Sequence, residues 1–204
     1  YSKLNNYNNV KWMYRDNPNI HVLKADYQNM MDQVLFAEIS NLGKVIWAGN
    51  TNDFFKKLDS QNKYTFDEFF YIYVGLDPKL KWELFYIKRN LNKEKDVFNK
   101  LGLHEGEKYI FIHDDIERGR IFKDKYIDKN IKKIRPEDYK QYGIFDLIYT
   151  IENASQVHMH NSSFACLIDT LQIKHDNLFY HDYARTDMGN NPNPRFKMNW
   201  NYLK

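Results

Sequence analysis

The sequence predicts an α/β protein in which parallel β-strands alternate with helices that flank the sheet. Short apolar runs recur along the 204 residues, and stretches whose apolar residues follow helical spacing separate these runs. Strands that are separated by helices pair in parallel through βαβ units, because hairpins need short turns between the strands. The chain is 43% hydrophobic, so it can build one sizeable core or two small ones.

The first half of the chain predicts several helices and strands. A helix near the amino terminus should stop at Asn17, because the residue before Pro18 is pushed away from helical angles. Thr65 and Glu68 have the spacing of a capping box at the start of a later helix, and Gly102 suits the end of another. The predicted segments are strands at 20–25 and 44–49, helices at 26–40, 65–76 and 92–103, and an extended aromatic segment at 81–90.

In the second half of the chain, predicted strands and predicted helices alternate most clearly. Counting from Ile144, apolar residues stand at i, i+3, i+4 and i+7, which predicts an amphipathic helix over 142–154. A second apolar helix is predicted over 162–173, directly after a pair of serines. The other predicted segments are strands at 108–113, 155–161 and 177–181, a strand-like piece within 131–139, and a loop-like tail from 188 onward.

A change of pattern near residues 102–107 predicts a boundary between two domains. Residues 1–104 are then a partial amino-terminal α/β domain with a linker, and residues 105–204 are a carboxyl-terminal α/β domain. The chain begins with Tyr1 rather than methionine, which favours a fragment whose amino-terminal domain is incomplete.

Charge and cysteine content argue against several classes of protein. The net charge of +3 is too small for the basic surface of a nucleic-acid-binding protein. No apolar run approaches the ~20 residues of a membrane span. Cys166 is the only cysteine, which excludes an intramolecular disulfide and favours a reducing, cytoplasmic setting. Its apolar neighbours indicate a small core residue rather than a nucleophile.

Two polar loops stand out against this background. In the segment YIFIHDDIERGR, an apolar strand ends at His113 and charges of both signs follow; they are Asp114, Asp115, Arg118 and Arg120. In the segment HNSSF, Asn161, Ser162 and Ser163 lead directly into an apolar helix. Taken singly, the first could be a solvated turn and the second a simple helix cap.

The positions of the two loops favour a binding site. Ligands of open parallel sheets bind outside the carboxyl ends of the strands, so both loops should meet at one edge. A helix start attracts anions such as phosphate, and arginine matches phosphate oxygens with two parallel hydrogen bonds. A nearby carboxylate can hold the arginine or accept a hydrogen bond from a sugar hydroxyl.

A metal site is the weaker alternative. His158 and His160 are two residues apart in a predicted strand and therefore face the same side. Together with His113 and its acidic neighbours they could bind Zn²⁺, which would make the protein a metal-dependent hydrolase. However, the H-x-H pattern is short and common, and no H-E-x-x-H helix accompanies it.

The segments KYIFIHDDIERGR and FDLIYTIENASQVHMHNSSFACLIDTL resemble the carboxyl-terminal nucleotide-sugar domain of GT-B glycosyltransferases, particularly fucosyltransferase-like enzymes and related viral or bacterial sugar transferases. The resemblance covers residues 108–173. The residues that match are His113 for the loop histidine, Glu152, Asn153 and Ala154 for the end of a helix, and Ser162, Ser163 and Phe164 for the turn into the next helix. That family has arginines directly after its histidine, where this chain has Asp114 and Asp115.

The resemblance implies an enzyme with two Rossmann-like domains that transfers a sugar from a nucleotide-activated donor to a glycan or another hydroxyl acceptor, without a bound metal or other cofactor. The amino-terminal domain would be the acceptor side. Asn161, Ser162, Ser163 and Phe164 would bind the donor together with Arg118 or Arg120, and Glu152 would bind ribose or sugar hydroxyls. The general base would be His113, Asp114 or Asp115. A binding module that holds a nucleotide or glycan without turnover is the alternative.

Overall fold

The computed structural model describes residues 2–3, 7–25, 64–185 and 194–204. The chain divides into two units, Tyr1–Gly49 with Tyr86–Arg89, and Asn50–Phe85 with Asn90–Lys204. The predicted division between residues 104 and 105 stays a prediction.

In the first unit, a short parallel pair of strands accompanies one helix. Strand β1 (Ser2–Lys3) pairs with β2 (Lys24–Ala25), and α1 spans Tyr7–Met13. The helix stops ahead of Asn17, as the following proline predicts. Only the last two residues of the predicted strand at 20–25 are paired. The helix predicted at 26–40 and the strand predicted at 44–49 lie outside the described residues.

The second unit contains a five-stranded sheet in which every pairing is parallel, and this confirms the predicted α/β class. The order across the sheet is β4-β3-β5-β6-β7. The strands are β3 (Tyr109–His113), β4 (Lys132–Ile134), β5 (Gln156–Met159), β6 (Leu178–His181) and β7 (Asn201–Leu203).

The strand order reverses between β3 and β5. From β3 the chain steps outward to β4, then crosses back to the other side of β3 to form β5, and continues in that direction through β6 and β7. The loops that leave β3 and β5 therefore diverge, and a crevice opens between them. In open parallel sheets this switch point is where ligands bind.

Helices surround the sheet and join its strands. The helix predicted over 162–173 is α7, and its first residue follows Ser162, which is the N-cap. Thr65 and Glu68 form the predicted capping box of α2. The described α-helices of this unit are α2 (Phe66–Tyr73), α3 (Leu80–Glu83), α4 (Leu91–Lys100), α5 (Pro136–Tyr139), α6 (Ile148–Glu152) and α7 (Ser163–Leu171).

Three predicted segments differ from the structure. The aromatic segment at 81–90 begins inside α3, because Asp77 accepts a hydrogen bond from the Lys79 N–H and sets a turn that leads into the helix. The helix predicted over 142–154 starts as a 3-10 turn, since Asp146 accepts from the Gly143 N–H. The tail contains β7, an edge strand whose Tyr202 packs against a tyrosine of β6, and the Asn-Pro pairs before it hide this strand in the sequence.

Strand β3 is the centre of the core. Four consecutive residues, Tyr109 to Ile112, are fully buried, as expected for a parallel strand covered on both faces. On one face, Phe111 stacks on Tyr139 of α5 with ring centroids 4.9 Å apart. On the other, Ile110 and Ile112 pack against Phe122. This packing fixes the carboxyl end of β3, where the polar loop begins.

Candidate functional site

A cavity of about 430 Å³ lies at the carboxyl ends of the strands, at the switch point between β3 and β5. Eight of the ten residues predicted for the site line it; they are His113, Asp114, Asp115, Arg118, Arg120, Asn161, Ser162 and Ser163. Two loops that are 40 residues apart in sequence are thus brought together, because both follow neighbouring parallel strands.

Asp115 organises the loop that follows β3. Its carboxylate accepts from the backbone N–H of Arg118 (3.2 Å) and from the Arg118 guanidinium (2.8 Å), and it lies 3.5 Å from the Arg120 guanidinium. Gly119 has φ +69°, which allows the tight return that pairs residues 115 and 120. Partial burial raises the pKa of Asp115, but the two arginines outweigh this and hold it below its ordinary value. The charges of opposite sign in this loop therefore belong to one arrangement, in which the Asp115 carboxylate positions Arg118 and Arg120.

The two arginines differ in exposure. The side chain of Arg118 is 71% exposed, whereas that of Arg120 is only 13% exposed. A charged group held with little water around it interacts more strongly with a ligand charge than a fully solvated one does. Arg120 is accordingly the stronger candidate for binding an anion in the cavity.

Asp114 has no exposed side-chain area and forms an ion pair with Arg135, which directly follows β4. Burial raises the pKa of Asp114 above its ordinary value, although the guanidinium opposes the shift. One carboxylate oxygen, Oδ2, contacts Arg135, and the other, Oδ1, is buried without a hydrogen-bond partner. Asp114 therefore carries an unused acceptor at the edge of the cavity.

His113 is held as a neutral imidazole in one tautomer. The single proton of the Tyr139 hydroxyl is donated to the Ile112 carbonyl (2.9 Å), so this hydroxyl accepts from Nδ1–H of His113 (2.9 Å). The proton is thereby assigned to Nδ1, and Nε2 retains its lone pair. Burial, with a smaller contribution from His160, lowers the pKa of His113 to about 3.

His160 repeats this arrangement beside His113. The two rings stack with centroids 5.4 Å apart and an angle of 16° between their planes. Nδ1–H of His160 donates to the Asn161 carbonyl (3.0 Å), and Nε2 is buried without a partner. Burial is the main cause of the lowered pKa of His160. Two parallel, neutral imidazoles therefore stand next to the arginine loop.

The start of α7 forms the other wall. Ser162 caps the helix by accepting a hydrogen bond from the Ala165 N–H (3.4 Å). This confirms the helix cap that the sequence predicted as one alternative for this segment. Ser163 is exposed and lines the cavity. The N–H groups of a first helical turn lack intrahelical acceptors and favour negative charge. Phe164 lies behind this wall, where it is buried against the His113 ring at 4.2 Å.

The structure adds two arginines that sequence reasoning missed. Arg185 follows β6, lines the cavity and donates to the Asn161 carbonyl (2.7 Å), while Arg135 follows β4 and holds Asp114. Arg135 is the first residue after its strand, and Arg185 is the fourth residue after its strand. Ligands of open parallel sheets bind outside the carboxyl ends of the strands, and this rule placed His113 and Ser162 at the site. Applied to β4 and β6, the same rule indicates Arg135 and Arg185.

Glu152 does not belong to this site. It lines a separate cavity together with Lys108, Ser155 and Asn177, which are residues that precede β3, β5 and β6. Because all these strands are parallel, this cavity lies at their amino ends, opposite the arginine loop. The predicted contact of Glu152 with ribose or sugar hydroxyls in the same site as Arg118 is therefore corrected.

The geometry gives no support to the metal alternative. His158 Nδ1 bonds to His181 Nε2 (2.8 Å) and His158 Nε2 to the Gln156 side-chain oxygen (3.3 Å), so neither ring nitrogen of His158 is left for a metal. Among the residues that the structure describes, no group of three or more His, Cys, Asp or Glu side chains could hold a metal ion. Cys166 is half-buried rather than a full core residue, and burial raises the pKa of its thiol to about 11, which makes it unreactive.

The fold and the cavity define an α/β protein with a Rossmann-like parallel sheet and a polar cavity at its switch point. Comparisons with protein-family models, with curated proteins and with solved structures gave no match to this chain. Within the described parts of the chain, none of the helices has the length and apolar character needed to cross a bilayer.

Proposed function

We propose that the protein is a glycosyltransferase of the GT-B type, which moves a sugar from a nucleotide-activated donor to a hydroxyl acceptor. One observation carries this proposal. At the switch point of the sheet, arginines and a helix start lie beside acceptor atoms that have no partner. Cations and N–H groups suit a diphosphate, and the free acceptors suit hydroxyl groups, so the cavity fits a ligand that carries both.

The phosphate side of the cavity is built from three strand ends. Arg120, nearly enclosed beside Asp115, and Arg185, beside Asn161, would bind phosphate oxygens together with the first turn of α7. When the glycosidic bond breaks, negative charge grows on the leaving diphosphate. Donors that are already in position for this charge lower the barrier without reorganisation.

Geometry favours His113 among the three predicted bases. The Asp114 carboxylate is buried in an ion pair with Arg135, and the Asp115 carboxylate forms ion pairs with two arginines. Neither carboxylate is therefore well placed to accept a proton from a substrate. His113 retains a lone pair on Nε2 and is only partly buried. A pKa of about 3 makes it a weak base, but a bound diphosphate beside the ring raises the pKa by favouring the charged form. His113 would accept the proton of the acceptor hydroxyl.

The second candidate function is a binding module that holds a nucleotide or glycan without turnover. The low pKa of His113 and the engagement of both carboxylates in ion pairs favour it. The two functions are separated by His113→Gln. In an enzyme this substitution removes turnover and leaves donor binding nearly intact, whereas a binding module shows no turnover with either protein.

A thermal-shift panel of nucleoside diphosphates and nucleotide sugars, with and without Mg²⁺, tests the proposal. A ligand at 100 times its dissociation constant stabilises the folded state by roughly 2.7 kcal/mol. We expect a selective shift with one nucleotide, independent of Mg²⁺ and lost in Arg120→Ala. The absence of a shift with every nucleotide would contradict both the transferase and the nucleotide-binding module.

A further inference from the structure

His160 contains a buried acceptor atom for which the protein supplies no donor. The residue is 3% exposed, and its Nδ1–H is already used by the Asn161 carbonyl. Nε2 therefore carries a lone pair, and this nitrogen has no hydrogen-bond partner. Leaving a buried acceptor unpaired costs free energy, so such atoms in folded proteins usually have a reason.

The surroundings of His160 indicate which partner is missing. The ring lines the cavity, and the positive charges of Arg120 and Arg185 act on it in the same direction as burial, which keeps it neutral. The unprotonated nitrogen of a neutral imidazole, here Nε2, can only accept. Phosphate oxygens at neutral pH are also acceptors, so the matching group on a ligand must be a donor such as a hydroxyl.

We propose that Nε2 of His160 accepts a hydrogen bond from a hydroxyl group of the sugar whose phosphate is bound by the neighbouring arginines. This inference rests on the proposed binding of a phosphorylated sugar in the cavity. His160 then determines ligand specificity, because its hydrogen bond forms with a nucleotide that carries a sugar and not with the same nucleotide without one. The nearby Oδ1 of Asp114, also unpartnered, offers a second acceptor for the same sugar.

The nitrogen is closed off from solvent, so a hydroxyl reaches it only when a neighbouring side chain moves. Arg120 is the neighbour that we expect to move. Its guanidinium lies 3.5 Å from the Asp115 carboxylate, and a bound phosphate competes for the same positive charge. Phosphate binding and sugar recognition are thereby linked.

The experiment is calorimetric titration of the full chain with UDP and UDP-glucose, and with GDP and GDP-mannose. Three variants accompany the wild type. His160→Phe keeps an aromatic ring against His113 but removes the acceptor, and His160→Gln restores an acceptor oxygen near Nε2. His175→Phe is the matched control, since His175 lines the cavity at the opposite edge of the sheet.

We expect the wild type to bind at least one nucleotide sugar about fivefold to tenfold more tightly than its nucleoside diphosphate. His160→Phe should erase this advantage without changing the affinity for the diphosphate. His160→Gln should recover part of it, and His175→Phe should retain it fully. If His160→Phe retains the advantage, or if the wild type shows none, the inference is wrong.

A failure of the proposed nucleotide binding gives a different result, because then no nucleotide binds at all. The same comparison is in that case made between glucose 1-phosphate and inorganic phosphate, where an advantage lost in His160→Phe supports the inference and no advantage overturns it. If His160→Phe does not fold, the ¹⁵N chemical shift of His160 Nε2 in the wild type decides. It should move with the sugar-bearing ligand and stay unchanged with the sugar-free one; equal responses to both contradict the inference.

Discussion

Two pairs of histidines lie at neighbouring strands of the same sheet, and they differ in one respect. His158 and His181 belong to a closed chain of hydrogen bonds, whereas His113 and His160 each keep an unbonded Nε2 beside a cavity. Burial keeps all four neutral, although His113 is less enclosed than the other three. The pair at the cavity, His113 and His160, is therefore distinguished by an acceptor nitrogen that the protein leaves unpaired.

The closed chain has a fixed direction. The Lys123 N–H donates to the Tyr183 hydroxyl (2.7 Å), which donates to His181 Nδ1 (2.8 Å), and His181 Nε2–H then donates to His158. The last proton of the chain goes to Gln156. Phe122 covers His181 face to face at 3.7 Å. Every donor and acceptor in this chain is used, so its contribution is to stability.

Acid should destabilise the protein more strongly than any single substitution. Burial lowers the pKa of His158 to about 4 and that of His181 to about 3, below the roughly 6.5 of an unfolded histidine. The unfolded state therefore binds more protons below pH 6.5. The stabilisation is complete above that pH and falls by about 1.4 kcal/mol per pH unit for each histidine on acidification. Urea unfolding from pH 7.5 to 4.5 measures this slope.

The variant His181→Leu sharpens the comparison, because it should both destabilise the fold and reduce the acid sensitivity. It leaves a buried nitrogen of His158 and the Tyr183 hydroxyl without their partner. We expect the free energy of unfolding at pH 7.5 to fall by about 2–3 kcal/mol. Ligand affinity should be unchanged once the folded fraction is taken into account. An undiminished pH slope in this variant would mean that other groups cause the acid effect.

Arg120→Ala should give the opposite pattern. Removing a nearly enclosed cation from the phosphate side should weaken nucleotide binding by about tenfold to a hundredfold, the value of a hydrogen bond to a charged group. Arg118 remains to pair with Asp115 in this variant. Arg118→Ala is the matched control, and its larger exposure predicts a weaker effect. Equal losses for both arginines would show that the cavity only attracts anions at long range.

Ser163→Ala should have the smallest effect. The residue is exposed at the start of α7, and Ser162 rather than Ser163 caps the helix. Affinity for the diphosphate should fall by about threefold or less, with no change in the midpoint of thermal unfolding. Ser162→Ala, by contrast, should lower stability by about 1 kcal/mol through the lost cap. If Ser163→Ala destabilises as much as Ser162→Ala, the two serines share the capping role.

The sequence predicted the sheet and one edge of the site for a simple physical reason. Buried parallel strands appear as apolar runs, and their carboxyl ends meet at one edge, so His113 and Ser162 could be placed together without coordinates. Arg185 was missed because it lies beyond a 3-10 turn after β6, and Glu152 was misplaced because it precedes a strand instead of following one. Which imidazole nitrogen carries the proton depends on Tyr139, 26 residues from His113, and no local pattern contains that contact.

The most direct test of the comparison is a histidine ¹⁵N NMR titration of the full chain with the nucleotide sugar that gives the largest thermal shift. We expect Nε2 of His113 and of His160 to change its chemical shift on binding, while the ring nitrogens of His158 and His181 keep theirs. A response confined to His158 and His181, or no response from any of the four, would contradict the assignment of the cavity pair to ligand binding.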